Sequence, residues 1–453
     1  MFNCLNYKPL ESSIIMHLLL KYSKSFPLPS VILEHRFLVS LMILIIPLLG
    51  FFGILNHPTI NDEAFYLPQV QAYSKEPFWA PIHQMNEVIS SIGPVYYLIL
   101  RIWTTIVGSA YIPIRWFSLV CMTLAAYLWY LIGRKMGIRS PISHQMAFLV
   151  MPYYLAVSIC ALSEPLMIVC QLAAVHAWLT GMERLHPKTG RFDTYQFPAG
   201  FWFLLSGLYL AVAINARPSS LLLSPVLALT GYLYTRSRWA FIGPILAIVI
   251  QLPFWYVWGN IFPPAQRSGM MPQYESLSGL FPDTSIHILT TAGLFLWPCL
   301  SWKLKNKTDI FRIISGVFIW LFLGPDLSPD NPGQYRFAGP LLQIGYQGQL
   351  IRWSLILPFL AGWMLFCQSI SELVFNRKLT ILRQTMLLLV VLTIFGLLRS
   401  PLAFDRYSTI LLPFWYFAES EKIHANERKW NLNMMAWGLM ALAMISRIYW
   451  PPL

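Results

Sequence analysis

Long apolar runs broken by short polar punctuation fill most of the chain. At about 20 apolar residues per membrane crossing, they predict thirteen spans, near 36–55, 112–132, 143–160, 165–182, 200–215, 219–235, 240–258, 286–302, 309–324, 351–371, 384–399, 407–418 and 432–449. The expected fold is an all-α polytopic membrane protein, with a cytoplasmic tail over 1–35 and a single transmembrane domain over 36–450. Lys21 and Lys24 precede the first apolar run, but Pro27, Pro29, Glu34, His35 and Arg36 interrupt it and no small-residue cleavage site follows. The stretch from Arg36 to Leu55 therefore reads as a retained span.

Charge orients the spans. Basic clusters follow alternate runs: Arg134, Lys135 and Arg139; Arg184, Lys188 and Arg191; Arg236 and Arg238; Lys303, Lys305 and Lys307; Arg377, Lys378 and Arg383; Lys422, Arg428 and Lys429. The positive-inside rule places all of them in the cytoplasm. That parity holds only if the apolar stretch 94–107 does not cross, so it is expected to lie as a helix at the outer face. On this topology 22 of the 32 Lys and Arg are inside and 10 outside, and all the outer ones except Lys75 are Arg. Arginine is the side chain whose fork suits phosphate. Three long loops face outward, at 56–111, 259–285 and 325–350. The first is too long for a plain connection and too aromatic for disorder, which points to juxtamembrane helices.

Composition agrees. The 453 residues are 57% hydrophobic and 11% charged, with mean hydropathy +0.56, where soluble domains carry about 25% charged residues. A soluble enzyme and a nucleic-acid-binding module are excluded, and the net charge of +13 reflects which side holds the basic residues. The six cysteines have no paired metal-ligand spacing and predict neither disulfides nor a zinc site. His57 and His83 read as hydrogen-bonded interfacial residues, and no helical His–Glu metal pair is present. No metal site is expected.

The string richest in chemistry opens the first outer loop: Asn61-Asp62-Glu63-Ala64-Phe65-Tyr66-Leu67-Pro68-Gln69-Val70-Gln71-Ala72-Tyr73. It fits a helix start, with Asn61 as N-cap and acids in the first turn. It also fits a general base, since paired acids beside an aromatic surface raise the proton affinity of one of them. Glu164, in Ser163-Glu164-Pro165, is either a second helix start or an acid on the same outer face. Arg115, Arg217 and Arg406 each sit at the outer edge of a span, where arginine caps a helix, reaches headgroups or holds a phosphate. Tyr335 and Arg336, in the loop with Asp326, Asp330 and Asn331, are either solvated or substrate-binding.

The Asp62–Glu63 pair at the start of the first outer loop resembles the GT-C superfamily of glycosyltransferases, which use polyprenyl-phosphate-linked sugars. The whole string is similar to the dolichyl-phosphoglucose-dependent α-1,2-glucosyltransferases, whose loop reads roughly Asp-Glu, aromatic, Pro-Gln-x-Gln-x-Tyr. The bacterial protein-mannosyltransferase-like members share the acidic pair. GPVYYLIL at 93–100, IPIRWFSLV at 112–120, ALSEPLMIVCQLAAV at 161–175 and RYSTILLPF at 406–414 resemble later segments of the superfamily. The glucosyltransferase motif of Trp-Asp-Pro followed by Pro-Gly-Leu-Tyr is absent; FWAPIHQMNEVISSIGPVYY stands there instead.

The resemblance implies a GT-C-type domain of about thirteen helices that moves a hexose-type sugar from a polyprenyl (dolichyl-like) phosphate to an acceptor hydroxyl. Asp62 and Glu63 would be catalytic, and Glu164, Arg115, Arg217, Arg406, Gln69, Tyr335 and Arg336 would bind substrate. It implies no cofactor, leaves a divalent cation optional, and names a lipid-linked donor, a glycan, lipid or protein acceptor and membrane lipid as partners. The site would lie on the non-cytoplasmic face of a bacterial inner membrane or an ER membrane. A transporter or flippase of a lipid-linked substrate is the rival reading. Against it, nearly all acids lie at span ends or in loops instead of mid-membrane. A non-catalytic subunit on the same scaffold is the third reading.

Overall fold

The computed structural model describes residues 63–86, 92–138, 140–151, 153–185, 198–261, 282–300, 306–323, 353–376, 379–398 and 408–449, with isolated positions at 41, 45 and 264. The described residues are helical, with no strand among them. Three helices belong to the first loop: α1 (Glu63–Lys75), α2 (Ala80–His83) and α3 (Pro94–Val107). The bundle follows: α4 (Tyr111–Lys135), α5 (Pro141–Val150), α6 (Tyr154–Ile159), α7 (Glu164–Leu185), α8 (Ala199–Ala216), α9 (Leu223–Thr235) after a 3-10 turn (Pro218–Leu222), and α10 (Trp239–Trp258). The remainder is α11 (Pro282–Leu296), α12 (Lys307–Leu323), α13 (Ile356–Phe375), α14 (Ile381–Leu397), α15 (Ser408–Ala425) and α16 (Glu427–Tyr449). Five of these, α4, α7, α8, α10 and α13, are long and apolar enough to cross a membrane, and they make this a membrane-embedded all-α protein.

The predicted spans from 112 onward fall on helices, with two corrections; the predicted span 36–55 lies outside the described residues apart from Leu41 and Ile45. The run 143–160 is two short helices, not one continuous helix. The chain breaks at Met151-Pro152-Tyr153, where Tyr153 takes a left-handed φ of 67° and the proline has no N–H to continue the ladder. The expected polar turn after 418 is helix instead: α15 runs on to Ala425 and α16 starts at Glu427. The charges that suggested a loop pair within and across helices there. Lys422 Nζ lies 2.7 Å from Glu419, which is fully buried, and 3.0 Å from Glu372, while Arg383 reaches Glu372 at 2.8 Å and Glu421 at 3.0 Å. One end of α13, α14 and α15 is thereby tied together.

Helix α7 is the axis of the N-terminal half, with 89% of its apolar window buried. Its small residues, Ala173, Ala174, Ala177 and Gly181, let neighbours close in, and its polar groups fix their register. Gln171 Nε2 donates to Ser220 Oγ at 2.9 Å and Trp178 Nε1 to the Leu227 carbonyl at 3.1 Å, both across 49 residues, so α9 runs parallel to α7. Lys135 pairs with Glu183 across 48 residues, where the C-terminal ends of α4 and α7 meet. A parallel α4 therefore brings its first turns, including Arg115, level with the start of α7. α8 runs the other way, returning Arg217 to Glu164.

Close crossings set the rest. A Cβ on Gly207 would lie 2.3 Å from the Gly243 carbonyl oxygen, and one on Gly243 would lie 2.2 Å from that of Phe203, so α8 and α10 touch backbone to backbone. Gly293 and Gly362 do the same for α11 and α13, with Pro358 and Leu289 carbonyls 1.8 and 1.9 Å from the added carbons. Helices in lipid associate by this packing, since apolar burial gains nothing there. Gly362→Ala is expected to lower the apparent melting temperature in detergent, by the equivalent of about 1–3 kcal/mol for overpacking. Gly438→Ala, whose added carbon meets only a Val150 methyl at 3.5 Å, should leave it unchanged; equal melting of the two would disprove the close crossing.

Candidate functional site

The site is built where three helix ends converge. α8 stops because Pro218 follows Arg217: a residue before proline is pushed to extended backbone, and Arg217 sits at φ −153°, ψ 117°. Its amide still closes the helix onto the Ala213 carbonyl at 2.8 Å, while its side chain leaves the helix toward α7. There an Arg217 Nη2 donates to Glu164 Oε1 at 2.5 Å. Both residues are buried, Glu164 at 3% and Arg217 at 7% exposure. Ser163 does not cap α7 with its side chain; its buried hydroxyl makes no hydrogen bond among the described residues, and its carbonyl accepts from Met167 at 3.0 Å. Glu164 thus holds an arginine of another helix, which the helix-start reading does not provide.

Arg115, at 2% exposure, is the third charged residue at this level. Among the described residues two arginines and one glutamate are thus buried toward this end of the bundle, and arginine's planar fork suits a phosphate as well as a carboxylate.

The first loop roofs this end. Tyr66, Tyr73, Tyr96 and Tyr97 are all buried. Tyr97 stands edge-on to Tyr73 at 5.5 Å and to Tyr96 at 5.4 Å, joining α1 to α3. Burial, then the neighbouring Tyr97 and Tyr66, then the Glu164 carboxylate hold the Tyr96 phenol well above the usual tyrosine range. Tyr96 is therefore a neutral hydrogen-bonding group beside Glu164 and no base. The roof is pinned by main-chain contacts. Gly93 N–H donates to the Asn215 carbonyl at 2.6 Å, Val95 N–H to Asn215 Oδ1 at 3.1 Å, and Trp258 Nε1 to the Met85 carbonyl at 3.2 Å.

The structure thus brings together Glu164 and Arg217 and sets Arg115 at their level. Gln69 is half-buried, and its Nε2 donates to Tyr73 Oη, one turn on in α1, at 3.2 Å. Glu63 begins α1. Asp62, Arg406, Tyr335 and Arg336, and the side chain of Glu63, lie outside the described residues. Among the described residues no three His, Cys, Asp or Glu side chains are grouped to hold a metal.

Two residues escaped the sequence reading. Asn215 Nδ2 donates to Gln251 Oε1 at 2.6 Å, and Gln251 Nε2 to the Ala211 carbonyl at 2.9 Å. The signal was Gln251 itself, a polar side chain in the apolar helix Trp239–Trp258, which in lipid demands a partner.

Fold and site define a helical membrane-embedded protein with a buried arginine–glutamate pair beneath an aromatic roof. No family model, curated protein or solved structure matches the chain.

Removing one partner of a buried pair strands the other charge, at a cost of about 3–5 kcal/mol, whereas removing both costs far less. Glu164→Gln is therefore expected to melt well below wild type in detergent, and Glu164→Gln with Arg217→Gln to recover most of the loss. A double variant no better than the single would show that the two are not coupled.

Proposed function

We propose that the chain is an inverting GT-C-type glycosyltransferase, moving a hexose-type sugar from a polyprenyl-phosphate carrier to an acceptor hydroxyl. The observation that carries this reading is the buried Glu164–Arg217 pair with Arg115 at its level, beneath the loop whose first helix starts at the Asp62–Glu63 pair. A lipid-linked phosphate is an anion that arrives within the membrane, and arginines at a span's end meet it without crossing water. The site then belongs to the non-cytoplasmic side of a thirteen-span topology, because the basic clusters crowd the other end.

The steps follow from the charges. Asp62 accepts the proton of the acceptor hydroxyl as its oxygen attacks the anomeric carbon from the face opposite the phosphate. The C–O bond to the phosphate breaks with both electrons going to that oxygen, and the configuration inverts. Arg217, with Arg115 and Arg406, neutralises the charge that grows on the leaving phosphate. Glu164 holds Arg217 in place, and Glu63 orients the acceptor. The donor brings its own activated ester, so the reaction draws on no further cofactor.

The test is transfer of radiolabelled sugar from a panel of polyprenyl-phosphate hexoses in proteoliposomes. Wild type is expected to consume one donor, and Asp62→Asn to lose at least about 10²-fold of the rate, the usual scale of a general base, with unchanged melting. A wild type that consumes no donor, or an Asn variant as fast as wild type, would refute the assignment.

A further inference from the structure

Asn215 stands between the two parts of the proposed site. On one side it holds the loop: its carbonyl accepts from Gly93 N–H at 2.6 Å and its Oδ1 from Val95 N–H at 3.1 Å. On the other its Nδ2 donates to Gln251 Oε1 at 2.6 Å, and Gln251 is itself fixed to the Ala211 carbonyl at 2.9 Å. At 3% exposure the side chain has no water to fall back on, so its bonds hold one orientation. Asn215 lies two residues before Arg217 in the last turn of α8. Gly93 is shaped to this contact: a Cβ there would lie 2.0 Å from Asn215 Oδ1.

The consequence is geometric. Val95 is in the first turn of α3, followed by Tyr96 and Tyr97, and Tyr97 packs on Tyr73 of α1, whose first residue is Glu63. The path from the start of α1 to Arg217 therefore runs through the tyrosines, the start of α3 and Asn215. We propose that Asn215 is a positioning residue that sets the register between the acidic pair on the loop and the phosphate-binding Arg217, with Gly93 as its obligatory partner. The proposal rests on the transfer reading above. Asn215 touches no reacting atom; it fixes how far the base stands from the carrier phosphate. A displacement on the order of 1 Å between reacting groups costs about 10²-fold in rate, and such a shift falls on kcat more than on KM.

Two variants separate positioning from packing. Asn215→Leu removes both the loop bond and the bond to α10. Gln251→Leu removes the Asn215–Gln251 bond and the one from Gln251 to the Ala211 carbonyl, and leaves the loop bonds intact. Each strands buried polar atoms, so both are expected to melt below wild type to a similar degree. Only Asn215→Leu is expected to lower kcat by about 30- to 100-fold with donor KM within about threefold; Gln251→Leu should keep kcat within about fivefold. Gly93→Ala, which deletes no polar group, should reproduce the kcat loss. Equal kcat losses in Asn215→Leu and Gln251→Leu, or an Asn215→Leu variant within threefold of wild type, would overturn the proposal. Hydrogen exchange of residues 92–97 in nanodiscs supplies a readout that needs no activity. Asn215→Leu and Gly93→Ala must speed exchange there and Gln251→Leu must not; unchanged exchange would sink the anchoring. If wild type transfers no sugar while exchange behaves as expected, the loop anchor stands and both the transfer reading and the positioning role of Asn215 in it fall.

Discussion

An arginine and a glutamate withdrawn from water each carry a penalty of several kcal/mol that only a close, well-oriented partner offsets. Glu164 and Arg217 meet that condition at 2.5 Å, both below a tenth exposed. Much of the N-terminal half is arranged so that they can. α7 must begin where α8 ends, which the antiparallel run of the two helices provides. α8 must end abruptly, which Pro218 enforces by holding Arg217 extended. The neighbours must then hold the level: α9 by the bonds from Gln171 and Trp178, and α10 through Gln251 and the Gly207–Gly243 crossing.

The two ends of the bundle use charge differently. At the far end α4 and α7 are joined by Lys135 and Glu183, and α13, α14 and α15 by Arg383 and Lys422 with Glu372, Glu419 and Glu421. In such networks each base is matched by an acid and serves to hold helices. At the near end the described buried groups are Arg115, Arg217 and Glu164 beneath tyrosines and main chain, and arginine forks of this kind are what the proposed carrier phosphate requires.

Much of the architecture was legible because lipid imposes length and apolarity on a crossing segment. The start of α7 at Glu164, the end of α8 at Ala216 and a helix over 94–107 follow from that constraint and from the charge clusters. The failures have physical causes. The break at Tyr153 carries a proline as its signal, but continuous apolarity across 143–160 masks it. Glu419 and Lys422 read as a water-facing turn because a sequence shows charges and not their pairing. Glu164 and Arg217 were placed on one face by topology, yet their contact spans 53 residues and is tertiary. Asn215 and Gln251 went unnoticed because an amide earns its meaning only from its partner, here 36 residues away.

The burial pattern also constrains which group can act as base on the proposed transfer. A base must take up a proton at neutral pH without dismantling the site. Glu164 fails, since protonating it would leave Arg217 charged and buried without its counter-ion, the costly half of a broken pair. Tyr96 fails because its burial holds the phenol proton fast. Among the acids of the loop, Glu76 is committed to Gln84, whose Nε2 donates to it at 2.7 Å, and it lies at the far end of α1. The other acids of the loop are Asp62, Glu63 and Glu87, and of these the resemblance singles out the adjacent pair at 62 and 63. The proposed in-line displacement asks for base and attacking hydroxyl on one face of the sugar and the departing phosphate, with its arginines, on the other.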